Sequence, residues 1–407
     1  MLAKIREKYF ARFYDPFYSV LLIAILSAYY FGITGSAWAV TGEFTRWGGE
    51  FLELFGLKPK EWEYFQIIGL NGNIFSRKDG VMILGMFLGA LISTLFAGHF
   101  KIRFPKTKRI IQALVGGIIA GFGARLGMGC NLASFFTGIP QFSLHAWFFT
   151  LMSIAGVYLG IFVISKQKSE FTLKKGLYQQ EKKKDRKNLS FMIGLLVLIC
   201  SIFWAIFEIK QGKHNVLGIS IIFGLAFGFI ISRAQICFTS AFRDLFLTGR
   251  GIMAKAIIIG MILSTIGVFG YIMLGVPPKI VWAGPNVFIG GFLFGFGIVI
   301  AGGCECGWMY RAMEGQIHYV FVGIGNVIGS MILAGTWSLY SQPLAKSFPK
   351  INLLESFENY GGLFVNLLFL ILFLLLIIFI EYRVQKKISK RLTSHLTKDL
   401  YANKTKL

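Results

Sequence analysis

Charge is scarce in this chain of 407 residues: Asp, Glu, Lys and Arg together make up 15%, against about 25% in an ordinary soluble domain. With 55% hydrophobic residues beside it, that deficit excludes a soluble globular domain as the simplest reading and points to the membrane class. Negative charge is scarcer still, with 19 acidic residues against 42 basic ones. In a soluble domain such an excess would suggest a nucleic-acid partner. Here the basic residues cluster in short segments between apolar runs, so no nucleic acid is expected and the charge reads as topological information. Histidine is confined to five scattered positions, His99, His145, His214, His318 and His395, and the five cysteines contain no CxxC pair. No metal site and no cofactor are expected from that inventory; the Cys304-Glu305-Cys306 triplet is its only hint of a soft metal.

The apolar runs fall at about 16–34, 80–100, 109–127, 145–165, 189–209, 215–232, 253–274, 287–303, 317–338 and 361–381, most of them long enough for a hydrocarbon core of roughly 30 Å. The expected fold is an all-α polytopic membrane protein with ten crossings. Basic clusters test the count: Lys4 to Arg12, Lys101 to Arg109, Lys166 to Lys187, Arg233 to Lys255, and the tail from Arg383. An even number of these crossings separates every pair, so all five can share one side. By the positive-inside rule that side is the cytoplasm, both termini included, in a multi-pass membrane protein. The SAWA stretch at Ser36–Ala39 imitates a signal-peptidase site. Cleavage there would discard the first crossing and spoil the internal symmetry of the chain, so an uncleaved chain is expected.

That symmetry lies in paired segments. Residues 116–130, GGIIAGFGARLGMGC, align without a gap to residues 290–304, GGFLFGFGIVIAGGC, matching at five glycines, one phenylalanine and the final cysteine. A second pair, MILGMFLGALIST (82–94) and IIIGMILSTIGVF (257–269), lies upstream at nearly the same separation. By the charge map the first copy runs outward and the second inward, because the extra crossing at 189–209 reverses the orientation of every later span. Two inverted repeats are therefore expected: a first half (1–165), a basic cytoplasmic loop (166–188), a linking helix (189–209), an inverted second half (210–338), a loop and terminal helix (339–381) and a basic tail (382–407). Inverted repeats with glycine-interrupted helices are a signature of transporters, whose substrate sites lie where broken helices meet. Most glycines serve close helix packing in GxxxG pairs; those beside Cys130 and Cys304 free the chain to turn back into the membrane.

Cys130, Cys237 and Cys304 each end a glycine-bearing span and precede a short, mildly polar segment: CNLASFFTGIPQFSLHAW, CFTSAFRDLFLTG and CECGWMYRAMEG. These segments read as re-entrant short helices. A cysteine at such a helix start lies where N–H groups point outward and stabilise anions. Cys200 lies in an unrepeated apolar span and reads as a packing residue. Disulfides are not expected, since the charge map separates Cys130 from the others. Several weak thiol stations in a line suit a small soft anion, because a conduction path must also release what it binds.

Other residues keep two readings. Aligning FTRWGGEFL (44–52) with FTSAFRDLF (238–246) sets Glu43 opposite Cys237, as a carboxylate on the path or as a loop residue outside it. Arg125 either draws an anion inward or snorkels to the outer interface. Asn131 and Thr239, next to the thiols, and Cys306 are further candidates for the path. Arg233, Arg243, Glu305, Arg311 and Glu314 read mostly as cytoplasmic edge charge, and the basic loop and tail as contacts to anionic lipid of the bilayer.

The stretches YYFGITG, WAVTGEFTRWGG, GGIIAGFGARLGMGCNLASFFTGIPQFSLHAWFF, RAQICFTSAFRD, MAKAIIIGM, GGCECGWMYRAMEGQIHY and KINLL also carry a resemblance. Over nearly its whole length the chain resembles the YeeE/YedE sulfur-transport membrane proteins, in the branch associated with selenium metabolism. The resemblance implies an hourglass-like inner-membrane protein of pseudo-symmetric halves that carries thiosulfate or a similar species, with Cys130, Cys237 and Cys304 handing the ion along through S–H hydrogen bonds. Two rivals remain at this point. One is a membrane thiol enzyme that handles persulfide or perselenide sulfur with Cys304 and Cys306. The other is a structural membrane partner for a soluble sulfur- or selenium-handling protein on the cytoplasmic side.

Overall fold

The computed structural model describes residues 9–166, 184–211 and 215–404. The first basic residues, Lys4 to Lys8, and nearly all of the loop 166–188 lie outside these. The described chain is helical with no strand, and ten of its helical segments are long and apolar enough to cross a membrane. The all-α polytopic expectation holds.

Local chemistry sets the helix ends. In α1 (Pro16–Thr34) the Asp15 carboxylate accepts the Phe17 amide at 2.8 Å, proline occupies the first turn, and Gly35 at φ 64° ends the helix. These are an N-cap and a left-handed stop in the positions their conformational preferences favour. Next come a short amphipathic helix α2 (Thr41–Glu53) and the crossings α3 (Lys78–Ala97), α4 (Thr107–Leu126), α5 (Leu144–Lys166), α6 (Lys184–Lys210) and α7 (Asn215–Ala234). The short α8 (Phe238–Thr248) precedes α9 (Ile252–Met273) and α10 (Pro285–Ala301). The short α11 (Glu305–Met313) is followed by α12 (Ile317–Tyr340) and by α13 (Asn359–Lys404), which runs on past the terminal apolar span.

The closest helix pairs are α3 with α7, α1 with α9, α4 with α12, α5 with α10, and α4 with α10. Exchanging α1, α3, α4 and α5 for α7, α9, α10 and α12 leaves this set of pairs unchanged. Small residues make the contacts close: Cα of Gly85 on α3 faces Gly224 on α7, and Gly117 on α4 faces Gly325 on α12, so a Cβ on any of these would press on the partner's backbone. Lateral burial of α6 and α13 is low, and both present Leu, Ile and Phe side chains outward, as helices at a lipid boundary do.

Loops that the charge map assigns to one side do meet. Tyr14 N donates to Arg233 O, Lys101 N to Glu314 O, and Ile317 N to Arg103 O. At the same end Lys255 on α9 pairs with Glu381 on α13 at 2.8 Å. At the opposite end Leu144 N donates to Ile351 O, Ala283 N to Pro349 O, and Leu353 N to Phe142 O.

Candidate substrate pathway

The three cysteines at span ends share one local device. Two residues before each stands a left-handed residue: Met128 at φ 58° before Cys130, Gln235 at φ 52° before Cys237, and Gly302 at φ 86° before Cys304. Each such residue breaks the preceding long helix. Each cysteine is then extended and caps the next element, respectively the π-helical turn Asn131–Phe136, α8 and α11. Sequence reading gave the turn to the glycines next to Cys130 and Cys304; the backbone makes it one residue earlier, twice on a non-glycine. Left-handed backbone on such residues is uncommon and persists where the surroundings hold it. Here Tyr64 Oη bonds Arg125 O at 3.2 Å and touches the Met128 sulfur at 3.8 Å. The Gln235 amide donates to Glu314 at 2.6 Å and to Ser232 O at 2.9 Å. Gly302 O accepts from Arg311 at 3.1 Å and Tyr319 at 3.0 Å.

All three re-entrant turns bring their thiols inside. Cys130, Cys237, Cys304 and Cys306 are buried, while Cys200 is exposed on the outer face of α6. Cys237 Sγ lies 3.7 Å from Cys304 Sγ, within S–H···S range and far from bonding distance. Cys237 and Cys304 cap α8 and α11 by backbone conformation, without a cap hydrogen bond from their side chains. Cys130 Sγ accepts the Ala133 amide at 3.5 Å. Asn131 Oδ1 accepts from Ser153 at 3.2 Å. Helix N-termini facing buried sulfurs favour negative charge there.

Two donors near these thiols are buried without a partner, Arg125 Nε and Thr239 Oγ1. Arg125 is 5% exposed, so it does not snorkel. Its Nη2 donates to Thr41 Oγ1 at the start of α2, 2.7 Å away, and its charge acts on Cys130. Unpaired buried donors are rare, and each asks for an explanation such as an absent ligand.

Glu43 is neither a free carboxylate nor an exposed loop residue. It lies in the first turn of α2, whose N-cap is Val40, so the alignment with Cys237 pairs a residue inside one helix with the cap of another. Its side chain is wholly enclosed. Arg77 Nε reaches both of its oxygens at 2.8 and 3.0 Å, Arg46 Nη1 one at 3.0 Å, and Trp47 Nε1 the other at 3.0 Å. Arg77 also bonds Glu50 at 2.7 Å, and Arg46 bonds Asp79 at 3.2 Å. Burial alone would pull the Arg77 guanidinium down; the Glu43 and Glu50 carboxylates more than offset it and hold it above its ordinary value. This network fixes α2, and with it Thr41 beside Arg125, to the start of α3. Removing Arg77 leaves the carboxylate buried with only Arg46 and Trp47 of its three partners, and breaking a buried pair costs up to roughly 3–5 kcal/mol. Arg77→Ala is expected to lower the thermal unfolding midpoint in detergent clearly, and Lys58→Ala, in the exposed Lys58–Glu61 pair, to leave it nearly unchanged.

The edge-charge reading fails for two residues. Glu305 and Arg233 are each 2% exposed. Arg233 reaches Ser93 O and Arg12 O and lies 5.1 Å over the Phe13 ring, at the C-terminal ends of α3 and α7. Glu305 accepts from Trp308 Nε1 at 2.8 Å and Asn326 Nδ2 at 2.5 Å. The structure thus brings Cys237, Cys304 and Thr239 together, sets Cys130, Asn131 and Arg125 in a neighbouring group, places Cys306 one turn into α11, and keeps Glu43 apart in its ion cluster. No group of three or more His, Cys, Asp or Glu side chains among the described residues is arranged to hold a metal ion.

Ten crossings whose broken ends bring capped thiols into the interior define a multi-pass α-helical membrane protein with its reactive groups inside. Residues 2–159 and 233–405 match the sulphur transport family, and the chain belongs to that family. It is 54% identical over 374 residues to the probable transporter YedE of Escherichia coli, a match that covers 90% of this chain and 92% of that one. The probable transporter YedE of Salmonella typhimurium is 54% identical over 373 residues, with the same coverage. A shorter match, 39% identical over 99 residues, covers 24% of this chain and 28% of the thiosulfate transporter TsuA of Escherichia coli. The chain is a membrane transporter of the sulphur transport family, and the family resemblance read from its motifs holds.

Proposed function

We propose that the protein carries a small inorganic sulfur or selenium anion, of the thiosulfate kind, across the inner membrane along Cys130, Cys237 and Cys304. The observation that carries this reading is the threefold device of left-handed residue, extended cysteine and re-entrant turn. It would be a costly way to build inert packing thiols, and it sets each cysteine at the N-terminal end of a short helical element, where the backbone favours negative charge. The unpartnered Arg125 Nε and Thr239 Oγ1 supply oxygen-binding donors at the two ends of the thiol row, with Asn131 beside the first. Sulfur atoms suit the soft end of such an anion and N–H or O–H donors its oxygens.

Two inverted halves are favoured by the exchange-invariant helix pairing, and cytoplasmic termini by the positive-inside rule. With that orientation Cys130 receives the ion from outside and the Cys237–Cys304 pair passes it inward, toward any soluble sulfur- or selenium-handling protein at the cytoplasmic face. Glu43 contributes by holding α2 rather than by meeting the ion, and Cys306 lies outside the relay. Purified protein in proteoliposomes is expected to take up at least one of labelled thiosulfate, sulfite, selenite and selenide in a saturable manner, with competition among the four ranking the substrates. Uptake of none of these four above protein-free vesicles would reject the proposal.

A further inference from the structure

Glu305 is a buried carboxylate that the thiol row does not use. It follows Cys304 directly, is 2% exposed, and forms no ion pair among the described residues; its two contacts are the neutral N–H donors Trp308 Nε1 and Asn326 Nδ2. An ionisable group so deep in a membrane protein is expensive to retain unless it does something. The groups facing it come from several elements. The π-helical turn after α4 offers Cys130, α4 offers Arg125, and α11 itself offers Cys306. From α12 comes only the Asn326 amide, and α3 offers the Phe87 ring to Trp308. Arg125 is the one cation among them, and it is turned to Thr41.

An anion that reaches Cys304 therefore arrives beside a carboxylate, that of the next residue, which has no counter-cation in contact. Two negative charges in that low-dielectric space repel strongly, and the repulsion disappears if the carboxylate takes up a proton. We propose that Glu305 makes the transporter an anion–proton symporter. On each turnover its carboxylate gains one proton from the outer phase, the anion passes the neutral carboxyl, and the O–H bond breaks to release that proton inward. No other bond forms or breaks, and one proton enters with each anion. This rests on the transport reading above.

The test uses full-length protein in proteoliposomes with labelled thiosulfate, in two assays. Equilibrium exchange needs no driving force; accumulation is driven by an inward proton gradient of one pH unit with the membrane potential clamped at zero, because a dianion with one proton still carries net charge, and this supports up to about tenfold concentration at one proton per ion. Wild type is expected to do both. Glu305→Gln, which mimics the protonated acid, is expected to exchange within about threefold of wild type yet lose accumulation altogether, whereas Glu305→Asp keeps both. Gradient-driven accumulation by Glu305→Gln at the wild-type level overturns the proposal. So does wild-type protein that exchanges label but ignores the gradient, and so does loss of exchange in Glu305→Gln, which makes the residue a positioning element. Absence of exchange in wild type is a separate result and rejects transport of thiosulfate itself.

Discussion

Replacing Cys237 or Cys304 by alanine is expected to cut thiosulfate uptake roughly ten- to a hundredfold while leaving the protein folded in the membrane. A hydrogen bond to a charged partner is worth about 1.5–3 kcal/mol, and each 1.4 kcal/mol on a barrier is a factor of ten in rate. The two sulfurs lie 3.7 Å apart, so an ion leaving one is already in reach of the other. Deleting either opens a gap beside Gly307, where an added Cβ would stand 2.8 Å from Cys237 Sγ and 3.6 Å from Cys304 Sγ. Cys130→Ala is expected to fall in the same range, because it removes the sulfur that stands beside Arg125 and Asn131. Serine at any of the three keeps an O–H donor but loses the polarizable sulfur, and an intermediate rate is expected. Cys306→Ser serves as the control. An enzyme that works through Cys304 and Cys306 would stop, whereas a relay through Cys237 and Cys304 would run at close to the wild-type rate. Initial rates of labelled uptake, normalised to folded protein by size-exclusion chromatography, decide between them; wild-type rates in all three alanine variants would sink the relay.

How legible these features are in sequence depends on their range. Each crossing is a property of some twenty consecutive residues, and the hydrocarbon core reads it by length and apolarity alone, which is why the ten expected spans and the ten helices agree. The three buried cysteines at span ends are legible because glycine, a span end and a cysteine recur together at Cys130 and Cys304, with Cys237 in a similar setting. The role of Glu305 is not legible. Its position beside basic residues at an inner loop looks like edge charge, and only the turn at Gly302, which sends α11 back into the protein, buries it. Nor is the Glu43 cluster, whose partners Arg46, Arg77 and Asp79 come from separate segments and meet only when α2 folds against the start of α3. Short-range alignment sets Glu43 opposite Cys237. The cap positions, which depend on where each helix begins, separate them.

Gly121→Leu is expected to disrupt assembly of the helix bundle more than leucine at a lipid-facing glycine does. A Cβ at Gly121 would overlap the carbonyl group of Asn326 on α12, with the Asn326 Cα 2.9 Å away, and one turn earlier a Cβ at Gly117 would stand 3.1 Å from Asn326 N. These neighbours are backbone and cannot rotate aside. The helices must separate, and separation forfeits the dispersion contacts that hold helices together where lipid supplies no hydrophobic drive. Overpacking a tight interior costs about 1–3 kcal/mol and more where backbone must shift; four added carbons against a main chain belong at the upper end. Because the Asn326 side chain donates to Glu305, the same displacement also pulls α12 from α11, so packing and site fail together. Most Gly121→Leu protein is expected to aggregate after detergent extraction, and Gly121→Ala to remain soluble with a lowered unfolding midpoint. Gly270→Leu is the matched control: its position on α9 has nothing within 4 Å of an added Cβ, so the same side chain there projects toward lipid. If Gly121→Leu behaved like Gly270→Leu on size-exclusion chromatography and in thermal unfolding, the close α4–α12 contact would not be what holds the halves together.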